Sequence, residues 1–413
     1  MSVEHEFGSR HYGYNQLNMI TLEEDEEGGV TKTLYDSLGN VVCVSAPNVS
    51  EQSGAVQAGT RYEYDDLDNL IRTIRPSGTV VAYHKDAEGN VLKEINPNAY
   101  DPATKDGEGI RHEYDVDGNR LKTIYPDGGV ERFFYDGNGN LIGRIAPEEY
   151  GKHGEEGARY LFDYDLGNRL IRVTNPEGVV ERGFVYDAVG NILKEMDAKG
   201  YAYGEEDATR IGTLYQYNTI GWMTEKRVPV QEEDGELRYQ LTTYRYDVSG
   251  NCIEEKRYLD YQSETSAKGM VHTIQFTYDG ADRLTEVKDC TGAVITYAYD
   301  TLNRRTLERH KVSDNVFAEK HFTYSPSGKL IKVMERVDEA GCGKKYAKTV
   351  YEYDKNGNPT RIITPLGNEI IRHYNEDDEL VLEEHKEAEG TIENSTKFTY
   401  DKAGNILSVT DVN

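Results

Sequence analysis

The stretch "RHEYDVDGNRLKTIYPDGGVERFFYDGNGN", residues 111–140, holds two clusters of side chains that could do chemistry: Asp115, Asp117 and Asn119, then Asp136, Asn138 and Asn140. Carboxylates and amides at alternate positions are the oxygen donors of a calcium loop, and paired carboxylates are the acids and bases of hydrolysis. An EF-hand loop also requires Gly at its sixth position and Glu at its twelfth. Counted from Asp136, those positions hold Leu141 and Pro147, so calcium does not fit. The clusters also recur along the chain, which makes them parts of an element rather than of one site.

That element is a repeat. The motif YDxxGN stands at Tyr35, Asp36 and Gly39; Tyr114, Asp115 and Gly118; Tyr135, Asp136 and Gly139; Tyr186, Asp187 and Gly190; Tyr246, Asp247 and Gly250; Tyr353, Asp354 and Gly357; and Tyr400, Asp401 and Gly404. Degenerate copies are anchored at Tyr14, Tyr64, Lys85, Tyr164, Tyr217, Tyr278, Tyr299, Tyr324 and Tyr374. Two residues before most anchors sits a second aromatic, as in Tyr62, Phe133 and Phe162. Aromatic-x-aromatic has period two and specifies a strand with its rings on one face. Tyrosine suits a partly dry face because its hydroxyl keeps a polar partner.

After the anchor comes Asp, Asn or Ser, the side chains that accept a backbone N–H two residues on and open a turn. Three residues further the backbone needs a positive φ. Gly usually stands there, and Asn18, Asp68, Asp282, Asn303 and Asp378 replace it, the residue types that best tolerate the left-handed region. Asp115 to Gly118 is therefore expected to be a type I turn with a left-handed residue closing a hairpin. The outgoing strand returns through Pro-x-Gly turns such as Pro76-Ser77-Gly78 and Pro365-Leu366-Gly367, with Gly28 and Gly292 in the same slot. In longer units, residues 96–109 and 146–157 read as polar, Gly-rich loops.

Composition narrows the function. With 47 Lys and Arg against 74 Asp and Glu the net charge is −27, which repels nucleic acid and anionic lipid. No stretch approaches the roughly 20 apolar residues of a membrane helix, and the amino end lacks a basic region followed by an apolar core, so neither membrane insertion nor an export signal is expected from this chain. Cys43, Cys252, Cys290 and Cys342 lie far apart with no CxxC pair, so no metal or cofactor is expected. HExxH, GxSxG and P-loop motifs are missing, and the ten His are scattered, with His84 and His112 reading as strand residues. The acidic run at residues 22–29 reads as a solvated turn, and Trp222 stands where Asn usually follows the turn glycine.

Sixteen anchors, each between two strands, imply about 32 strands at ~4.8 Å spacing, a ribbon on the order of 150 Å wide that must curl. The expected fold is all-β: a long antiparallel ribbon curled into a hollow or open shell, continuous over residues 1–413, with no separate catalytic or toxin domain. A hydrophobic content of 37% fits a wall one sheet thick.

The run "RYEYDDLDNLIRTIRPSGTVVAY" and its relatives resemble the YD repeats of bacterial Rhs proteins and of the teneurin shell. The resemblance implies a ribbon spiralled into a cocoon around a C-terminal polypeptide, often a toxin of bacterial competition, at a secreted or cell-surface location. It covers the repeats only: the family's DPxGxxDPxG-like plug and protease segment has no match, since the one Asp-Pro is Asp101-Pro102. The expected function is a non-enzymatic scaffold for a polypeptide cargo or flanking Rhs segments. The alternative is a surface module that binds glycan or a protein through its aromatic faces. Open strand edges near Tyr14 and Tyr400 are expected to favour self-association.

Overall fold

The structure, a computed structural model, describes residues 2–5, 8–48, 58–204, 206, 209–231, 237–260, 262–263, 267–313, 316–337 and 345–412. Cys342 lies outside these residues. Among them, one antiparallel sheet holds 33 strands, and a second sheet holds two short ones, Tyr100–Asp101 and Asp106–Gly107. The expected all-β ribbon is thus the observed fold.

Contacts divide the chain into two compact units. The first comprises Met1–His112, Tyr299–Leu307 and Ala318–Asn413; the second comprises Glu113–Ala298 and Glu308–Phe317. In the first, strand Thr60–Tyr64 pairs with Leu70–Ile74, Tyr64 facing Leu70 across a bulge. In the second, Tyr160–Tyr164 pairs with Leu170–Thr174 in the same register, Tyr164 facing Leu170 across a bulge. The bulge follows from the turn: three residues are looped out, and the extra one is absorbed where the anchor leaves the ladder.

Apart from Leu241, inside strand Leu237–Tyr246, the fully buried side chains lie where a long connection follows a strand. Ile95 and Ile145 are completely buried and Met196 nearly so. Each stands ten residues after an anchor, Lys85, Tyr135 or Tyr186, at or next to the end of its strand. The connection then folds back over it: a Cβ built on Gly107 would lie 3.1 Å from Ile95 Cγ2, and one on Gly157 the same distance from Ile145 Cγ2. Burying one such isoleucine contributes about 1.5–3 kcal/mol. Gly109 and Gly212 bring the chain back against the sheet, where a Cβ would stand 2.1 Å from the Glu94 carbonyl oxygen and 2.3 Å from that of Glu195.

Two of these connections differ from the expected loops. Residues 146–157 contain a helix, Pro147–His153, and a 3-10 turn, Gly154–Glu156. Its sequence carries the reasons: Pro147 opens it, Glu148 and Glu149 occupy the first turn, Lys152 and His153 the last, and Gly154 ends it at φ +58. Residues 96–109 form the two-stranded sheet, with Lys105 left-handed at φ +55 between its strands. Among the described residues, no helix is long and apolar enough to cross a membrane.

Candidate functional site

The acidic clusters of residues 115–119 and 136–140 are closed on themselves. Asp115 Oδ1 accepts the backbone N–H of Asp117 at 3.0 Å and of Asn119 at 2.8 Å, and Oδ2 accepts the Asn119 amide at 3.0 Å. The Gly118 N–H reaches the Asp115 carbonyl at 3.2 Å, and the Asp115 N–H reaches that of Asn119 at 3.0 Å. Both carboxylate oxygens are thus engaged within the turn. The Asn119 side chain and backbone hold the Asp115 carboxyl below its ordinary range, against a smaller opposing effect of burial. The same arrangement stands at Asp36, Asp136, Asp187, Asp247, Asp354 and Asp401, each accepting from the Asn four residues on.

The motif glycines Gly39, Gly118, Gly139, Gly190, Gly250, Gly357 and Gly404 have φ between +81 and +102. Asn18, Asp68, Asp282, Asn303 and Asp378 lie between +58 and +63. In the turn after Tyr164 the left-handed residue is Asn168 at φ +59, one past Gly167.

The side chain that follows the left-handed position links one turn to the next, a role the sequence reading missed. Asn40 donates to Asp68 at 3.0 Å, Asn140 to Asn168 at 2.9 Å, Asn251 to Asp282 at 2.7 Å and Asn358 to Asp378 at 2.6 Å. Each acceptor is a left-handed non-glycine, so Asp or Asn there does more than tolerate its φ. Where Arg takes the slot, Arg169 donates to the Asp187 carbonyl at 2.7 Å and Arg304 to that of Ser325 at 2.8 Å. Trp222 fills it with a ring that meets Tyr246 at 5.4 Å and lies over Gly250, where a Cβ would come within 2.9 Å of the indole. The recurrence of Asn or Arg five residues after the anchor was the available signal.

The anchor tyrosines add a second link. Tyr35 donates its hydroxyl to the Ile20 carbonyl at 2.9 Å, Tyr164 to Leu141 at 3.0 Å, Tyr186 to Leu170 at 2.7 Å, Tyr246 to Met223 at 2.7 Å, Tyr353 to Leu330 at 2.8 Å and Tyr400 to Leu380 at 2.7 Å. Every acceptor lies six residues after the preceding anchor. Burial pushes the phenols of Tyr135, Tyr164, Tyr186, Tyr246, Tyr353 and Tyr400 up, as a half-dry face should.

Within the first unit a third level joins distant parts of the chain. Two return turns and two long connections of its amino-terminal stretch meet motif turns of its carboxy-terminal stretch. Ser327 and Lys329 donate to Glu27 at 2.6 and 3.0 Å; Asn48 donates to Asn356 and Asp354 at 2.9 Å each; Ser77 donates to Asp377 at 2.5 Å; and Asn98 donates to Asp401 at 2.8 Å. The separations run from 300 to 308 residues. Burial works to raise the Glu27 carboxyl, but Ser325, Ser327 and Lys329 outweigh it and bring it down to about 2. The acidic run at residues 22–29, expected to be solvated, is therefore partly a contact edge, with Glu23 and Glu26 also held by Arg10 at 3.2 and 3.0 Å.

Other reactive groups stay apart. Among the described residues Cys43, Cys252 and Cys290 form no disulfide, and no group of three His, Cys, Asp or Glu side chains could hold a metal. His84 lies in strand Val80–Lys85, 3.2 Å from Asp106, and His112 in strand Ile110–Tyr114. In the second unit a depression of about 690 Å³ centres on Phe134, with the Arg132 and Arg159 guanidiniums 4.7 and 4.6 Å from its ring centre.

A family model described as RHS Repeat matches residues 272–312, which span the strands from Val271–Tyr278 to Arg305–Ser313. Residues 272–312 thus match one RHS repeat. No curated protein compared with it matches at a significant level. Among solved structures, the chain is similar to a chain of the Photorhabdus luminescens Tc holotoxin pore carrying the TccC3-D651A mutation, with TM-score 0.57 and 14% identity over 98% of this chain. It is also similar to a chain of the TcdB2-TccC3-Cdc42 crystal structure, with TM-score 0.51, 14% identity and the same coverage. At that identity the likeness is one of fold. The chain spans 22% and 26% of the lengths of those two chains.

Proposed function

We propose that the chain is a non-enzymatic scaffold, a segment of β-shell that encloses or supports a polypeptide. The observation that carries this reading is where the repeat's chemistry goes: the carboxylates, amides and phenols of the motif are hydrogen-bonded to their own turn, the next turn or a turn some 300 residues away. Side chains so engaged serve cohesion, and the half-buried aromatic face supplies a wall. The likeness to chains of TcdB2-TccC3 assemblies, one of which was solved without a hypervariable C-terminal region, supports a polypeptide as what such a wall accompanies. The chain forms one continuous repeat segment on this reading, with the motif Tyr, Asp and Gly residues as its structural core.

A second reading is favoured by the depression lined by Phe134: a surface module that holds glycan or a protein on a half-buried aromatic. Binding separates the two. A scaffold for polypeptide retains reduced, carboxymethylated casein, slows its digestion by trypsin and is not retained by cell-wall polysaccharide. Retention on polysaccharide without protection of casein would reverse the order of the two readings.

A further inference from the structure

Strand Ile406–Val412 pairs with Ile392–Tyr400 along one edge, and among the described residues its other edge meets no strand. All seven of its side chains are exposed, Ile406, Leu407 and Val409 by 57%, 68% and 57%. The corresponding strands Leu170–Thr174 and Leu380–Lys386, paired along both edges, are half-buried throughout. An apolar strand with one ladder unmade is a template for a further strand.

The repeat specifies what that strand must carry. In most repeats the anchor tyrosine donates to the carbonyl six residues past the preceding anchor, as Tyr278 does to Cys252 at 3.0 Å and Tyr374 to Pro359 at 3.1 Å. Six residues past Tyr400 stands Ile406, and no side chain of the described residues donates to its carbonyl. The second link is open as well. Where the following turn has a left-handed Asp or Asn, the Asn after the turn glycine reaches it, as Asn251 reaches Asp282 at 2.7 Å. Asn405 holds that slot, donates to Asp401 of its own turn at 3.1 Å and is exposed, whereas Asn40, Asn140, Asn251 and Asn358 are half-buried. In the ladder Ile406 and Val409 lie opposite Tyr400 and Phe398, so they carry the aromatic face to the edge where an incoming pair of rings would rest.

We propose that the outer edge of Ile406–Val412 is a docking site for a repeat hairpin supplied from outside this chain. Its incoming strand reads aromatic-x-Tyr, and the tyrosine hydroxyl donates to the Ile406 carbonyl. The inference rests on the scaffold reading only in taking the ribbon as part of a larger wall. A second copy has no such strand to give: Gly8–Tyr14 and Ile392–Tyr400, the first and last aromatic-x-Tyr strands of this sequence, are already paired along both edges.

Fluorescence anisotropy of the full chain with a labelled peptide of residues 271–289 tests this. That hairpin carries Phe276, Tyr278 and Asp282 and makes both links where it stands in the chain. The peptide should bind saturably, its Tyr278→Phe form about 2- to 10-fold more weakly, and a scrambled peptide not at all. These changes lie in the probe, so the fold of the chain is untouched. The Ile406→Lys, Val409→Lys double variant, with unchanged circular dichroism, should lose binding, and amide exchange should show the bound peptide protecting residues 406–412. Casein protection without peptide binding retains the scaffold and overturns the docking site. Equal binding of the scrambled peptide overturns it too. So does protection at Cys252–Tyr258 instead, which is exchange with the chain's own hairpin, or a chain that pairs with itself through residues 406–412 and ignores the peptide.

Discussion

Ser327 donates a 2.6 Å hydrogen bond to a carboxylate oxygen of Glu27, 300 residues earlier in the chain, and Lys329 closes on the other oxygen at 3.0 Å. Glu27 thereby joins the amino-terminal stretch of the first unit to its carboxy-terminal stretch. Glu27 is partly exposed, so solvent screening keeps its worth modest. Replacing Glu27 with Ala should lower stability by about 1 kcal/mol. Lys329→Ala should cost a similar amount, and the double variant less than the sum. Denaturant unfolding reads all three, and strictly additive losses would mean that the two side chains do not interact.

The same contacts set a pH dependence. Glu27 is lowered from 4.5 to about 2 by its three partners against burial, and Asp401 is lowered from 3.8 to about 2, first by the Asn405 side chain and backbone and further by Asn98. A carboxyl with a depressed folded-state pKa stabilises fully above its unfolded value, and the contribution is lost as pH falls through the folded value. Melting temperature should therefore be flat with respect to these groups above pH 4.5 and decline toward pH 2. In Glu27→Gln the decline should be shallower. A variant as acid-sensitive as the native chain would exclude Glu27 from the effect.

Gly139 has φ +81, and a Cβ there would meet only Asn119 Oδ1, at an ordinary 3.8 Å, so its backbone conformation is what resists a side chain. Gly139→Val should cost about 1–3 kcal/mol. Gly139→Asn should cost clearly less, since Asn168 and Asn303 occupy the equivalent position at φ +59 and +63. Gly137→Ala, in the same turn but outside the left-handed region and facing open space, should be nearly neutral. Thermal unfolding of the three variants is the check, and equal losses would contradict the strain argument.

Tyr164→Phe removes the hydroxyl that reaches the Leu141 carbonyl and leaves the ring in place. The expected loss is about 0.5–1.5 kcal/mol. Amide exchange adds a sharper readout, because protection should fall around Leu141, in the neighbouring hairpin, as well as around Tyr164. Exchange unchanged at residues 141–145 would mean the hydroxyl does not join the two hairpins.

Strands and turns were legible because both rest on local chemistry. Alternating aromatics specify a strand face, and Asp68 or Asn303 in a glycine slot announces a positive φ. In the turn after Tyr164 the left-handed position falls on Asn168 although Gly167 stands beside it. The helix Pro147–His153 was hidden inside a polar, Gly-rich stretch too short to show a helical period, although its end signals are all present. Nothing local could have paired Glu27 with Ser327: that contact depends on how far the ribbon travels before it meets itself, a property summed over many small strand twists. The linking role of Asn40 and Arg304 was within reach, since the residue type recurs, but a recurring polar residue after a turn reads first as solvent-facing.

On the proposed scaffold reading the ribbon forms a wall around space rather than a solid body. Small-angle X-ray scattering of the monomeric chain tests it most directly. A solid domain of 413 residues should have a radius of gyration of ~22 Å. The shell reading predicts a clearly larger value and a distance distribution depleted at short separations. A value near that of a solid domain, with a single symmetric peak, would contradict it.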